Sequence, residues 1–362
     1  MAELLKNVYD QTYLDSLCEA IKLTYPSFDQ VGFIPAVFDE EWQYKELKAR
    51  TIHIADTLHH FIRLDYPDAL AVIQHVAKYF TGYQGMFLPA FVEQYGLEDF
   101  SISIDALAYI TQFASAEFAV RPFIVKYPQE MRHVLLTWTQ SENPHIRRLA
   151  SEGSRPRLPW AMALPLFKQD PAYVLPILER LKADNSEYVR RSVANHLNDI
   201  AKDHPAVVID IAQRWLIESN HLETKRLVKH ACRTLLKQAN PQALALFGFL
   251  PPKHIEVTEF FADKNVSLGG ALRFSCRLTH REGLALNKLR VEFAIDFMKK
   301  NGQQARKIFQ ISESIINQDV KIIEKSFSFK TISTRQYYCG RHTIAIIVNG
   351  LELESDDFIL SN

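Results

Sequence analysis

The sequence has little of what most enzyme chemistries require. Its 362 residues contain 4 cysteines and 12 glycines. Cys18, Cys232, Cys276 and Cys339 are scattered with no C-x-x-C spacing, which argues against a zinc ribbon or a dithiol redox site and leaves reduced thiols as the expectation. The glycines are too few and too spread to cradle a phosphate. No G-x-x-x-x-G-K-[ST], G-x-G-x-x-G, H-E-x-x-H or G-x-S-x-G motif occurs, so the common nucleotide, metalloprotease and serine-hydrolase signatures are missing. The adjacent pair His59-His60 is not read as a metal site, and neither a metal nor a cofactor is expected. No apolar run reaches the ~18 residues of a membrane span, and Met1 to Pro26 is mixed and acidic rather than basic and then apolar. A cytoplasmic protein without a membrane partner is expected.

The formal net charge of zero hides an asymmetry. Residues 1–118 carry 7 Lys+Arg against 17 Asp+Glu, residues 119–240 carry 19 against 12, and the remainder carries 16 against 13. The middle segment is the basic one, so an anionic partner is drawn there and the acidic front end faces elsewhere.

From Asp10 to about Phe247 apolar residues recur at three- and four-residue spacing, as in Tyr44, Leu47, Thr51, Ile54, Leu58, Phe61 and in Val174, Ile177, Leu178, Leu181. This predicts helix after helix. Pro67, Pro89, Pro144, Pro171, Pro205 and Pro241 punctuate the series, often at a first turn, where a missing N–H costs little. An internal repeat is present: ENPHIRRLASEG from Glu142, DNSEYVRRSVANHLNDIA from Asp184 and HLETKRLVKHACRTLL from His221 share a polar turn and then a dibasic pair. The pairs Arg147/Arg148, Arg190/Arg191 and Lys225/Arg226 stand 43 and 35 residues apart, spacings that match HEAT-like hairpins stacked into a solenoid. Stacking lines the pairs into a basic ladder suited to phosphates, although one arginine of each pair can equally serve to tie neighbouring repeats together.

Beyond Phe249 to Lys253 the period becomes two: Ile255, Val257; Leu272, Phe274, Cys276, Leu278; Val291, Phe293, Ile295; Ile344, Ile346, Val348. These read as strands of a sandwich of immunoglobulin-like type. Tyr337, two residues before Cys339, has the placement of a tyrosine corner, while the core tryptophan of an antibody-type domain is absent, since all four tryptophans lie at or before Trp215. The fold class is therefore multidomain α plus β, with a HEAT-like α-solenoid over 1–250 and an immunoglobulin-like β-sandwich over 251–362.

The segment Ser151 to Trp160, SEGSRPRLPW, interrupts the repeat. It supplies cations for phosphate, an aromatic plate and a carboxylate, the parts needed to hold a nucleic-acid backbone and stabilise a cationic sugar. Arg155 and Arg157 alternate with stiffening prolines and are expected to project outward to phosphates. Trp160 is either the aromatic plate or a core anchor for the following helix; Trp138 and Trp215 have core spacing. Three carboxylates qualify by context: Glu117 in ASAEFAVRPF, Glu152 beside the Gly-Ser hinge and Asp199 in ANHLNDIAKDHP. Each alone is as well explained by solvation or by pairing with a nearby arginine. Acids in three consecutive repeats can, however, converge on one groove, and breaking an N-glycosidic bond through an oxocarbenium-like sugar is carboxylate work.

SEGSRPRLPWA together with VRRSVANHLNDIAKDHP resembles the AlkC-type branch of the bacterial DNA alkylation repair glycosylases related to AlkD, over about residues 1–250; some members of that branch also carry an immunoglobulin-like C-terminal domain. The resemblance implies a solenoid that grips duplex DNA containing alkylated bases; with no coiled-coil heptads in the sequence, a monomer is expected. It further implies excision of 3-methyladenine and 3-methylcytosine, without drawing the base into a closed pocket. Carried over by motif, Asp199 and Glu152 become the charge-stabilising and water-positioning pair, Trp160 packs on the deoxyribose, and Glu117 is a third member. The competing reading is a non-catalytic HEAT-repeat scaffold binding DNA or an acidic protein; a stiff Arg/Trp/Glu projection favours the glycosylase.

Overall fold

The computed structural model describes residues 5–219, 221–331 and 336–362. Among them sixteen α-helices, from Gln11 to Leu246, precede eight β-strands; no helix is long and apolar enough to cross a membrane. The chain divides into two compact units, Met1–His204 with Trp215–Ala231, and Pro205–Arg214 with Cys232–Asn362.

In the first unit local chemistry sets the helix starts. The side chains of Asp10, Asp65 and Asn143 accept from backbone N–H groups of Tyr13, Asp68 and His145, satisfying donors that the first turn leaves orphaned. Pro128 and Pro144 open their helices, where φ is preset and no N–H is needed. The three helices that carry the dibasic pairs, Pro144–Glu152, Glu187–Ile200 and Leu222–Ala231, pack side by side in chain order. Val174, Ile177, Leu178 and Leu181 are buried as their spacing requires, and so are Trp138 and Trp215. Tyr44 departs from its pattern: it lies in a 3₁₀ turn before the helix Leu47–Phe61 and is exposed.

In the second unit the strands are β1 (Ile255–Ala262), β2 (Asn265–Ser267), β3 (Ala271–His280), β4 (Asn287–Met298), β5 (Gln304–Ile316), β6 (Val320–Ser328), β7 (Gly340–Val348) and β8 (Leu351–Ser361). They form two sheets, ordered β1-β3-β6 and β2-β8-β7-β4-β5. Alternate residues Leu272, Phe274, Cys276, Leu278 of β3, Val291, Phe293, Ile295 of β4 and Ile344, Ile346, Val348 of β7 share one core. In place of a core tryptophan, Phe297, Phe327, Phe329, Tyr337, His342 and Phe358 interlock, with Phe329 and Tyr337 ring centroids 4.9 Å apart. Cys276 is buried and Cys339 exposed, both as free thiols. Tyr337 Oη reaches the Ser328 carbonyl at 3.5 Å.

β7 and β8 are joined at Asn349-Gly350, with φ of 47° and 83°. Two successive positive φ values define the hairpin turn whose twist matches the strands. A Cβ on Gly350 would also lie 2.6 Å from Leu244 Cδ1 and 2.8 Å from Ala239 Cβ. Gly350→Ala therefore combines backbone strain with a clash, and is expected to destabilise this unit by about 1–3 kcal/mol, read as a lower denaturation midpoint of the β-sheet signal; an unchanged midpoint would refute the argument.

Candidate active site

The helix Pro144–Glu152 ends where the chain must pass close to a neighbour: a Cβ at Gly153 would lie 2.5 Å from Val120 Cγ1 and 2.9 Å from the Leu149 carbonyl oxygen. Ser154 Oγ donates to the Ala150 carbonyl at 2.6 Å, turning the backbone so that Arg155 points inward. Arg155 is 6% exposed. Its Nε donates to Asp199 Oδ2 at 2.8 Å and its Nη1 to Glu152 Oε1 at 2.6 Å. This corrects the expectation that Arg155 projects to phosphates. Glu152 and Asp199 are themselves buried, and unpaired buried carboxylates would cost far more than surrendering one surface cation. Burial pulls the Arg155 guanidinium down, but Glu152 and Asp199 outweigh it and the net shift is upward.

Arg148 continues the series. Its Nη1 donates to Glu117 Oε2 and to Ser115 Oγ, its Nη2 lies 3.6 Å from Glu152 Oε1, and its guanidinium sits 4.7 Å from the Tyr188 ring centroid. Here too burial opposes the charge, and Glu117 and Glu152 more than restore it. The result is an alternating ladder, Glu117, Arg148, Glu152, Arg155, Asp199, closed by Lys202 Nζ on Asp199 Oδ1 at 3.1 Å. The turn before the helix Val120–Lys126 and the helices Pro144–Glu152 and Glu187–Ile200 thus bring their carboxylates together. The ladder is graded: side-chain exposure is 17% at Glu117, 7% at Glu152 and 2% at Asp199. Asp199 has both oxygens engaged, whereas Glu152 Oε2 and Glu117 Oε1 take no hydrogen bond among the described residues.

Beneath the ladder His196 is fully buried, and its Nδ1–H donates to the Ser151 carbonyl at 2.9 Å. Burial, with Arg155 nearby, lowers its pKa to about 3, so the ring is neutral. Arg121 is also fully buried; it donates from Nε to the Met162 carbonyl at 2.7 Å and from Nη1 to the Gly153 and Arg155 carbonyls, each at 2.8 Å. Burial, then repulsion by Arg155, brings its pKa down to about 10. Sequence reasoning did not single out Arg121. An arginine inside the apolar run Ala119 to Val125 was the available signal, because such a charge is buried only when it is used.

Trp160 is not a core anchor. It is 73% exposed, and Leu158 fills the buried position of the loop. Its φ of 65° is unusual for a bulky residue and costs of order 1–3 kcal/mol. Arg157 is partly exposed and pairs with Asp203 at 2.6 Å. In the basic ladder, Arg147 Nη1 donates to the Ser141 and Glu142 carbonyls, while its Nε and Nη2 hold Asp184. Arg190 Nη1 repeats the pattern on the Asp184 and Asn185 carbonyls. The first arginine of these two pairs therefore fastens the turn before its own helix, the structural role that the sequence left open for one arginine of each pair, rather than reaching outward to phosphates. Of the second members Arg148 belongs to the buried network, and Arg191, paired with Glu187, is exposed, as are Lys225 and Arg226.

A stacked helical unit followed by a β-sandwich, with a carboxylate–guanidinium ladder beside a loop that displays an aromatic ring, defines the class. Residues 103–236 match the family model described as DNA alkylation repair enzyme, and residues 256–362 match that of the C-terminal Ig-like domain of uncharacterised protein YhaZ. The chain is 40% identical to Uncharacterized protein YhaZ of Bacillus subtilis (strain 168) over 356 residues, 98% of each. It is 36% identical to the alkylpurine DNA glycosylase AlkC of Pseudomonas fluorescens, solved bound to DNA containing an abasic site analog, with a TM-score of 0.94 over 99% of this chain and 100% of that one. The chain belongs to the AlkC-type family of DNA alkylation repair proteins.

The neutral His196 sets a pH dependence. Unfolding restores an ordinary imidazole that binds a proton below its usual pKa of ~6.5, whereas the folded ring resists until about 3. The unfolded state therefore binds more protons across this window. Stability is lost as pH falls through it, by up to about 1.4 kcal/mol per pH unit. In His196→Gln this component is expected to vanish, so that the stability difference between native protein and variant narrows from pH 6.5 downward in urea titrations; a constant difference would contradict a neutral buried ring.

Proposed function

We propose that this protein is a DNA glycosylase that excises cationic N-alkylated bases, 3-methyladenine and 3-methylcytosine, from duplex DNA. The observation that carries the reading is the convergence of Glu117, Glu152 and Asp199 beside a loop whose tryptophan is held in solvent. A base alkylated on a ring nitrogen already carries positive charge. When its N-glycosidic bond breaks, the electron pair leaves with the base, which becomes neutral, and the charge passes to the deoxyribose. The protein must then stabilise an oxocarbenium-like sugar and deliver water to C1′.

Glu152, with Oε2 uncommitted, positions that water and accepts its proton. Asp199, held from both sides, supplies negative charge from beneath. Glu117, the most open of the three, flanks the sugar as the third member. Trp160 packs on the deoxyribose, the exposed aromatic face favouring a cation. Lys225, Arg226, Arg191 and Arg157 meet phosphates. Arg147, Arg190, Arg148 and Arg155 support the surface from within. The protein works as a monomer in the bacterial cytoplasm.

Single-turnover release of base from duplexes carrying 3-methyladenine or 3-methylcytosine tests the reading. Glu152→Gln and Asp199→Asn are expected to slow release by about 10²-fold or more, and Trp160→Ala by a smaller factor, with duplex affinity kept; the two carboxamides also lower stability by leaving Arg155 one charge short, so rates are compared where each variant is folded. A native chain that binds duplex but releases neither base would leave a DNA-binding scaffold instead. Each of Lys225→Ala and Arg226→Ala is expected to weaken binding equally on all sequences and to lower the salt slope of log K by about 1; an unchanged slope would remove that residue from the phosphate contacts.

A further inference from the structure

Two cations outside the carboxylate ladder grip the backbone on either side of Ala161. Lys48, on the helix Leu47–Phe61, donates from Nζ to the Trp160 carbonyl at 3.0 Å, and the fully buried Arg121 donates to the Met162 carbonyl at 2.7 Å. Arg121 simultaneously fixes the Gly153 and Arg155 carbonyls, so one guanidinium spans both ends of the loop. At the first grip stands Trp160, in a left-handed conformation and 73% exposed, and at the second stands Met162, also exposed. Left alone, this chain would relax φ and fold the indole onto apolar surface, since both the strain and the hydration of the ring oppose the observed state.

We infer that Lys48 and Arg121 are positioning residues that lock Trp160 in its outward, left-handed conformation before DNA arrives, so that the ring meets the sugar without first being ordered. Lys48 lies outside the residues matched by the DNA alkylation repair family model, which gives the acidic N-terminal helices a part in the site. The inference rests on the proposed role of Trp160. Preorganisation matters because an ordering step at the moment of reaction raises the barrier, and a displacement of about 1 Å can cost about 10²-fold.

The chain has only four tryptophans, so protein labelled with 5-fluorotryptophan should give four resolvable ¹⁹F resonances, that of Trp160 being the one lost in Trp160→Phe. In Lys48→Met, a change at an exposed side chain that leaves the core untouched, the Trp160 resonance is expected to shift or broaden while the other three stay. The single-turnover rate is expected to fall about 3- to 10-fold, the worth of one hydrogen bond, with duplex affinity unchanged. Lys48→Arg, which still reaches the carbonyl, should restore both. Arg121→Lys, which keeps the charge but cannot span three carbonyls, should move the same resonance and slow release about 10²-fold. A Trp160 resonance and a rate both unaltered in Lys48→Met and in folded Arg121→Lys overturn the inference, as does a moved resonance with an unaltered rate. If the native chain releases no base, the proposed glycosylase falls, while a Trp160 resonance that still moves in the variants upholds the lock.

Discussion

The guanidinium of Arg155 lies between the buried carboxylates of Glu152 and Asp199, and the surrounding architecture follows from the need to keep those charges compensated. To deliver Arg155 inward the chain must turn immediately after its helix, which requires the close approach possible only at Gly153. The turned backbone presents its carbonyls to the interior, and Arg121 is there to receive them. With Arg155 and Arg121 already present, a protonated imidazole beneath them would add a further buried cation, so His196 stays neutral and serves as a donor to Ser151. Removing one member of such a group leaves its neighbour's charge without compensation in a low-dielectric setting, which makes the ladder a single unit rather than a set of pairs.

The loop reverses the usual partition of side chains. Its first arginine goes inside and its tryptophan outside, each at a cost that the other contacts offset. Arg147 and Arg190 are a milder case: guanidiniums at the start of a helix that look like phosphate ligands in the sequence but close the turn behind them. At Arg147 and Arg190 the backbone carbonyls outcompete solvent because they are close and fixed, whereas Arg155 is drawn inward by two carboxylates.

The period of the apolar residues was enough to separate helices from strands, and the residues marked for the sandwich, from Leu272 to Val348, share one core. Grouping Glu117, Glu152 and Asp199 was also within reach, since each sits in a successive repeat and stacking brings such positions together. The direction of Arg155 was not legible. Prolines on either side of an arginine say that the backbone is stiff, not where the side chain points, and the partner that decides it, Asp199, is 44 residues away in sequence. Trp160 was ambiguous for the same reason: proline before an aromatic fits a core anchor as well as a displayed ring, and only its positive φ and the burial of Leu158 separate the two.

The alternation of signs along the ladder bears on how a surface proposed to meet duplex DNA can hold acids at all. A duplex carries one negative charge per ~1.7 Å of its axis, and three bare carboxylates would push it away. Here Glu117, Glu152 and Asp199 are matched by Arg148, Arg155 and Lys202, so at the distance of a passing phosphate the group is electroneutral. At contact distance that cancellation fails, and an atom facing Glu152 Oε2 feels the nearest oxygen rather than the sum. The same side chains are thus silent toward the backbone and negative toward whatever comes within a bond's reach of them.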